Sequence, residues 1–83
     1  MSNSAKNLNP AQIRAGRALV RWSAQNLAQA SKVGLSTIRR AELMDKGTVM
    51  TAANNAAIRQ AMEAAGVEFI EENGGGPGVR LRK

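Results

Sequence analysis

Two adjacent arginines, Arg39 and Arg40, follow two small hydroxyl residues, Ser36 and Thr37, near the middle of the chain. An arginine guanidinium can donate two parallel hydrogen bonds to O6 and N7 of a guanine, and a serine or threonine hydroxyl can bind a base edge or a phosphate. Residues of these types about one helical turn apart are suited to binding nucleic acid through the surface of one helix.

The composition offers no comparable set of groups for covalent chemistry. The chain contains neither cysteine nor histidine, so it has no disulfide, no thiolate metal ligand and no histidine acid–base relay. The glycine-rich run at 74–78 is not followed by the Lys-Ser/Thr of a phosphate-binding loop. We therefore expect no catalytic residue, no metal site and no cofactor, and we do not expect an enzyme.

The net charge of +6 is distributed unevenly. Residues 1–46 contain eight basic and two acidic residues, whereas residues 47–83 contain four of each. The whole excess therefore coincides with the arginine-bearing stretch, which favours a polyanionic partner there, either nucleic acid or an anionic membrane. The neutral second half suggests a different role, such as holding two subunits together.

Membrane and secretory segments are not predicted. No apolar run approaches the roughly 18 residues that span a bilayer, and residues 1–10 lack the apolar core of a signal peptide. We expect a cytoplasmic, nucleoid-associated protein without a membrane partner.

Four helices are predicted from capping residues and apolar spacing. The first follows the N-cap Asn9, with Gln12 completing a capping box, and the second follows Ser23. A turn at 32–34 leads into the third helix, and the fourth is alanine-rich and ends before Gly66. The predicted bounds are 10–21, 24–30, 35–44 and, after a cap at Thr48 or Thr51, a last helix that ends at residue 65.

The C-terminal part predicts a β-hairpin, VEFIE at 67–71 paired with VRLR at 79–82 across a glycine-rich loop. Because an isolated two-stranded hairpin is marginal in water, it must pack on the helices or pair with a second copy. We expect a mainly α protein with a flexible arm at 1–9, a four- to five-helix helix-turn-helix DNA-binding domain at 10–66 and a dimerising β-hairpin at 67–83. The predicted dimer contacts are Val67, Phe69, Ile70, Val79 and Leu81.

Residues 13–66 resemble the λ-repressor/Cro-like helix-turn-helix family of the xenobiotic-response-element type. More narrowly, the chain is similar to small bacterial regulators in which this core is followed by a tail of the form GVEFI…ENGGGPGVRL. Here the tail stands at residues 66–70 and 72–81. The resemblance covers most of the chain and implies a λ-repressor-like fold whose third helix enters the major groove of DNA.

The resemblance also implies roles for the third helix. Its base-contacting residues would be Leu35, Ser36, Arg39 and Arg40. Arg40 is the expected guanine reader, Leu35 could contact a thymine methyl group, and Arg39 could bind a base or a phosphate. A solvated basic helix face is the alternative. The expected phosphate contacts are Gln25, Lys32, Thr37 and Lys46.

Two further expectations concern arginines of the first helix. The resemblance implies a structural ion pair between Arg17 and Glu42, at the end of the third helix. Arg14 and Arg21 could contact phosphate or form a solvated stripe.

The helix-turn-helix departs from the family pattern at three positions, two in the turn and one at the start of the second helix. Lys32 stands where a glycine is usual, and a lysine in the left-handed region costs about 1 kcal/mol. Gly34 replaces the usual serine or threonine cap, and Ala24 replaces a glutamine that commonly contacts phosphate.

The sequence thus predicts a transcriptional regulator that binds double-stranded DNA sequence-specifically, as a homodimer on an inverted repeat. The alternative is an antitoxin or antiactivator type of module that binds a partner protein. A basic membrane-surface protein is disfavoured, because the apolar faces are rich in alanine and lack bulky aromatics.

Overall fold

A computed structural model describes residues 8–43, 51–71 and 74–82. Within these ranges the elements are α1 (Pro10–Val20), α2 (Ala24–Ser31), α3 (Leu35–Leu43), α4 (Ala52–Ala64), β1 (Val67–Ile70) and β2 (Gly78–Leu81). The predicted mainly helical fold with a C-terminal antiparallel hairpin is confirmed. None of the helices in the described part is long and apolar enough to cross a bilayer.

The helices begin where the capping residues predicted. The Asn9 side chain accepts the backbone N–H of Gln12 at 2.8 Å, and the Gln12 side chain accepts the backbone N–H of Asn9 at 3.1 Å. Ser23 begins α2 with the same reciprocal arrangement. Of the two threonines considered for α4, Thr51 is the N-cap, and its hydroxyl accepts a backbone N–H of the first turn. These side chains satisfy N–H groups that have no partner inside the helix.

The hydrophobic core lies between the four helices and β1. Gly16 allows α1 to approach α4 and β1 closely, since a Cβ at this position would lie 2.8 Å from Sδ of Met62. The largest fully buried side chains are Leu8, Ile13, Leu27, Ile38, Ile58, Met62 and Val67. Because α3 contributes Ile38 to this cluster, burial of apolar surface fixes one face of α3 and leaves the opposite face outward.

The predicted flexible arm at 1–9 is wrong for its last two residues. Leu8 is only 1% exposed and packs in the core, and its backbone N–H donates to Oδ1 of Asn55 at 2.8 Å. Asn9 is ordered as the cap of α1. Burial of an apolar side chain, with its N–H satisfied by a buried amide, stabilises this segment. The rest of the predicted arm lies outside the described residues.

The hairpin packs on the helices, one of the two arrangements expected for it. The register pairs Val67 with Leu81 and Phe69 with Val79. Val67 is in the core, and Phe69 and Val79 are partly buried against it. This packing supplies the support that a two-stranded sheet lacks on its own.

Gln12 connects the start of α1 to the loop end of the hairpin. Its Nε2 donates to the backbone oxygens of Ile70 at 3.4 Å and Gly78 at 3.2 Å, while its Oε1 serves the capping box. The outer face of the hairpin carries an exposed ion pair in which Nε of Arg80 lies 3.1 Å from Oε1 of Glu68. This hydrogen bond lowers the pKa of Glu68.

Candidate nucleic-acid interface

The helix α3 has one buried face and one exposed face. Ile38, Ala41 and Glu42 are buried, whereas Ser36, Arg39, Arg40 and Leu43 are exposed. Arg39, Arg40 and Leu43 follow Ser36 by three, four and seven positions, so the four residues form one continuous surface stripe. The structure therefore brings three of the four predicted base contacts together on an outward face.

The fourth predicted base contact, Leu35, is half-buried and lies at the edge of this stripe. Leu43 was missed by the sequence analysis, although it is 80% exposed and lies on the stripe one turn beyond Arg39 and Arg40. Leu43 lies seven positions after Ser36, and this spacing places the two residues on the same face of a helix. An isolated leucine at the end of a helix is ambiguous in sequence, because apolar residues usually mark the buried face.

The predicted phosphate contacts are distributed over α2, the turn and α3. Gln25, in the first turn of α2, is exposed, as is Lys32 in the turn, whereas Thr37 is half-buried. Lys46 lies outside the described residues. The exposed members of this set stand close in sequence to the start of α2 and of α3, where helix N-termini present backbone N–H groups to anions.

Arg17 and Glu42 form a bidentate ion pair, in the arrangement expected for them. Nε of Arg17 donates to Oε2 of Glu42 at 2.7 Å and one terminal nitrogen donates to Oε1 at 2.9 Å. The other terminal nitrogen of Arg17 donates to the backbone oxygen of Trp22 at 2.8 Å. One guanidinium therefore connects α1, the segment between α1 and α2, and the end of α3.

This ion pair is largely shielded from solvent, since the side chains of Arg17 and Glu42 are 22% and 8% exposed. The hydrogen bond to Glu42 raises the pKa of Arg17, while burial acts in the opposite direction. A buried carboxylate this close to a guanidinium stabilises the fold only while both partners are present. The pair therefore holds α3 against α1 rather than facing a ligand.

Arg14 was expected to contact phosphate or to be solvated, but in the structure it binds the backbone of α3. One terminal nitrogen of Arg14 donates to the backbone carbonyl oxygen of Glu42. A backbone carbonyl oxygen has two lone pairs, so it can accept a hydrogen bond from a cationic side chain. Two arginines of α1 thus hold the same residue of α3, one by its carboxylate and one by its backbone.

A cavity of about 430 Å³ lies beside this contact and is lined by Arg14, Arg39, Glu42 and Leu43. Its position shows that Arg39 lies on the side of α3 that faces α1. Arg40 does not line the cavity, because successive residues of an α-helix point about 100° apart around its axis. The two adjacent arginines therefore have different surroundings.

The turn before α3 adopts the strained conformation expected at Lys32, which has φ +66°. The Ser31 hydroxyl donates to the backbone oxygen of Leu27 at 2.7 Å and accepts the backbone N–H of Val33 at 3.2 Å. Val33 is buried in the core. These contacts hold the turn although a non-glycine residue occupies the left-handed position.

Replacing Lys32 with glycine is expected to raise the free energy of unfolding by roughly 1 kcal/mol, because glycine adopts this φ without a Cβ clash. Thermal unfolding followed by circular dichroism measures the change. Lys32→Ala is the matched control, since it removes the same charge and keeps the Cβ, so it should give no comparable gain. A melting temperature for Lys32→Gly at or below that of Lys32→Ala would show that the turn is not strained.

The predicted dimer contacts are not all available to a partner. Val67 is fully buried in the core, so its assignment as a dimer contact is wrong, because a side chain inside the same subunit cannot contact another subunit. Phe69 and Val79 are partly buried against the core, with the guanidinium of Arg59 5.1 Å from the centre of the Phe69 ring. Ile70 is half-buried, and Leu81 is 44% exposed.

The described residues thus present a basic, partly polar stripe on α3 whose opposite face is held by core packing and two arginines of α1. No cluster of three or more acidic, histidine or cysteine side chains that could hold a metal ion occurs in the part of the chain that the structure describes. In comparisons with known protein families and with curated proteins, nothing matches this chain.

Proposed function

We propose that the protein is a transcriptional regulator that binds double-stranded DNA sequence-specifically, with α3 in the major groove. The observation that carries the proposal is the exposed stripe of Ser36, Arg39, Arg40 and Leu43. The major groove of B-DNA admits an α-helix, and each base pair presents a distinct pattern of donors, acceptors and methyl groups there. The stripe supplies groups complementary to these patterns.

The way α3 is held supports the same function. A helix that recognises bases must keep one angle to the rest of the protein, because small displacements misalign its hydrogen bonds. Ile38 fixes α3 to the core, and Arg14 and Arg17 fix its last turn to α1. The net charge of +6 in residues 1–46 adds attraction to phosphates that does not depend on sequence.

Selection of bound sequences from a pool of random duplexes tests this proposal. Purified protein at moderate salt should enrich an inverted repeat whose half-sites lie about one helical turn apart. Recovery of duplexes without an enriched sequence would contradict sequence-specific binding and leave only non-specific attraction to phosphates.

The homodimer is the second part of the proposal, and it concerns the hairpin. Leu81 is the exposed large apolar residue of β2 and lies opposite Val67, and the half-buried Ile70 lies opposite Gly78. Both strands of this two-stranded sheet have a second edge that could pair with a neighbouring copy. A symmetric pair of this kind would present two α3 helices to an inverted repeat.

Leu81→Arg is expected to convert the protein to a monomer, since it places a charge at the apolar contact of each subunit. Sedimentation measures the mass, and binding to a single half-site should be retained. Deletion of 67–83 is unsuitable, because it would remove Val67 from the core. A dimer that persists in Leu81→Arg would contradict a role for this edge.

A module that binds a partner protein, of the antitoxin or antiactivator type, is the second candidate function. The exposed Leu81 also favours it, because one exposed apolar residue on a strand can pair with a different chain as well as with a second copy. If the isolated protein is monomeric and binds DNA without sequence preference, the hairpin is better explained as a binding site for a partner protein.

A further inference from the structure

Leu43 is an apolar side chain on a face that otherwise carries polar and basic groups. In the described part of the chain, two large apolar residues are exposed. Leu43 is 80% exposed and Leu81 is 44% exposed. Leu43 lies four residues after Arg39 and three after Arg40, so it belongs to the same stripe. At this exposure Leu43 adds little to the core, and its side chain is accessible to a partner.

The residue before Leu43 is held from two directions. Arg17 binds the carboxylate of Glu42, and Arg14 donates to the Glu42 backbone oxygen. The Arg17 ion pair alone fixes a side chain, whereas the Arg14 contact fixes the backbone from which Leu43 continues. Arg14 therefore restrains the backbone directly before Leu43.

We propose that Leu43 is a base-contacting residue that recognises a thymine methyl group, and that Arg14 is a positioning residue that holds it in place through Glu42. The proposal rests on the proposed DNA binding through α3. The major groove presents one apolar group, the C5 methyl of thymine, and an exposed leucine on the recognition helix is its natural complement. A phosphate would satisfy Arg39 or Arg40 but would leave Leu43 without an apolar contact.

Replacing thymine with uracil in the selected duplex tests the contact, because it removes the methyl group and leaves the base pairing. The wild-type protein should lose about fourfold in affinity at one thymine of each half-site, the loss expected for one buried methyl group. Leu43→Ala should bind the thymine and uracil duplexes equally. Since Leu43 is 80% exposed, this variant should fold normally. Gln60→Ala, at an exposed position of α4, is the control and should keep the wild-type thymine–uracil ratio.

The same ratio tests the role of Arg14. Arg14→Ala should reduce the thymine–uracil difference, and Arg14→Lys should restore it, because an ammonium group can still donate to the Glu42 carbonyl. Arg21→Ala, which removes an exposed arginine at the end of the same helix, should keep the wild-type ratio. Arg14→Ala should leave the dependence of log affinity on log salt unchanged, whereas loss of a phosphate contact would reduce that slope by about one.

Amide hydrogen exchange on the free protein separates this inference from the proposed function. Arg14→Ala should accelerate exchange at the end of α3 and leave α2 unchanged, and Arg14→Lys should resemble wild type. If the wild-type protein selects no sequence, the proposed function fails and the thymine contact fails with it, while the exchange result still reports on Arg14. If wild type selects an operator but all variants show the same thymine–uracil ratio, DNA binding stands and the role of Leu43 and Arg14 is overturned.

Discussion

Replacing Arg40 with alanine is expected to weaken binding to the selected duplex by roughly 5- to 150-fold and to relax the guanine preference at one position of each half-site. Arg40 is exposed on the outward stripe of α3, four residues after Ser36. A bidentate arginine–guanine contact provides about 1–3 kcal/mol of discrimination, which corresponds to this range. Affinities for the duplex and for its single-base variants, measured at one salt concentration, give both effects.

The control for Arg40 distinguishes base recognition from charge. Lys32→Ala removes one positive charge from an exposed residue of the turn, so it should weaken binding to all duplexes by a similar factor. Arg40→Ala should instead weaken binding to the selected duplex more than to unrelated ones. If the two variants lose affinity uniformly, Arg40 contacts phosphate and the stripe does not distinguish bases.

The second large effect is expected for the ion pair that holds α3. Arg17→Ala should lower the free energy of unfolding by about 3 kcal/mol, because it leaves the Glu42 carboxylate buried without its partner. This is the lower end of the range for buried pairs, since the side chain of Arg17 is 22% exposed. For a domain of this size the melting temperature should fall by more than about 10 °C. Thermal unfolding by circular dichroism is the measurement.

Two comparisons make this prediction specific. Arg80→Ala breaks the exposed pair with Glu68 and should change the melting temperature little. The double substitution of Arg17→Met with Glu42→Leu should be less destabilising than the two single changes added together, because no charge is left buried. A melting temperature for Arg17→Ala equal to that of wild type, together with lost DNA binding, would show that Arg17 contacts DNA instead.

Local features of the fold were predictable from the sequence because their causes are local. Asn9 and Gln12 are three residues apart and form the capping box without help from the rest of the chain. Gly66, with φ +108°, follows the last turn of α4 as a C-terminal glycine should. The family resemblance implied a left-handed conformation at Lys32, and its φ is +66°.

Long-range features were not predictable, since no local pattern encodes them. Gln12 also donates to the backbone oxygens of Ile70 and Gly78. These partners lie 58 and 66 positions after it in the sequence. The burial of Val67 depends on how the hairpin packs against Gly16. From the sequence, the hairpin could have been supported either by the helices or by a second copy of the chain. Leu8 was assigned to a mobile arm because it follows a polar segment.

The candidate site shows the same division. The spacing of Ser36, Arg39 and Arg40 indicated one helix face, and all three are exposed. The contact of Arg14 with the carbonyl of Glu42 depends on the distance between α1 and α3, which only the packed core determines. Once that contact is known, Arg14 changes from a candidate phosphate ligand to a residue that holds α3 at Glu42.

Substitution of 7-deazaguanine for the preferred guanine of the selected duplex tests most directly whether Arg40 contacts bases in the major groove. This base lacks the N7 acceptor of the major groove and keeps its Watson–Crick pairing, so only one of the two arginine hydrogen bonds is removed. Wild-type protein should lose roughly tenfold in affinity, whereas Arg40→Ala should bind both duplexes equally. An equal loss for wild type and Arg40→Ala would contradict the contact, and so would the absence of any loss for wild type.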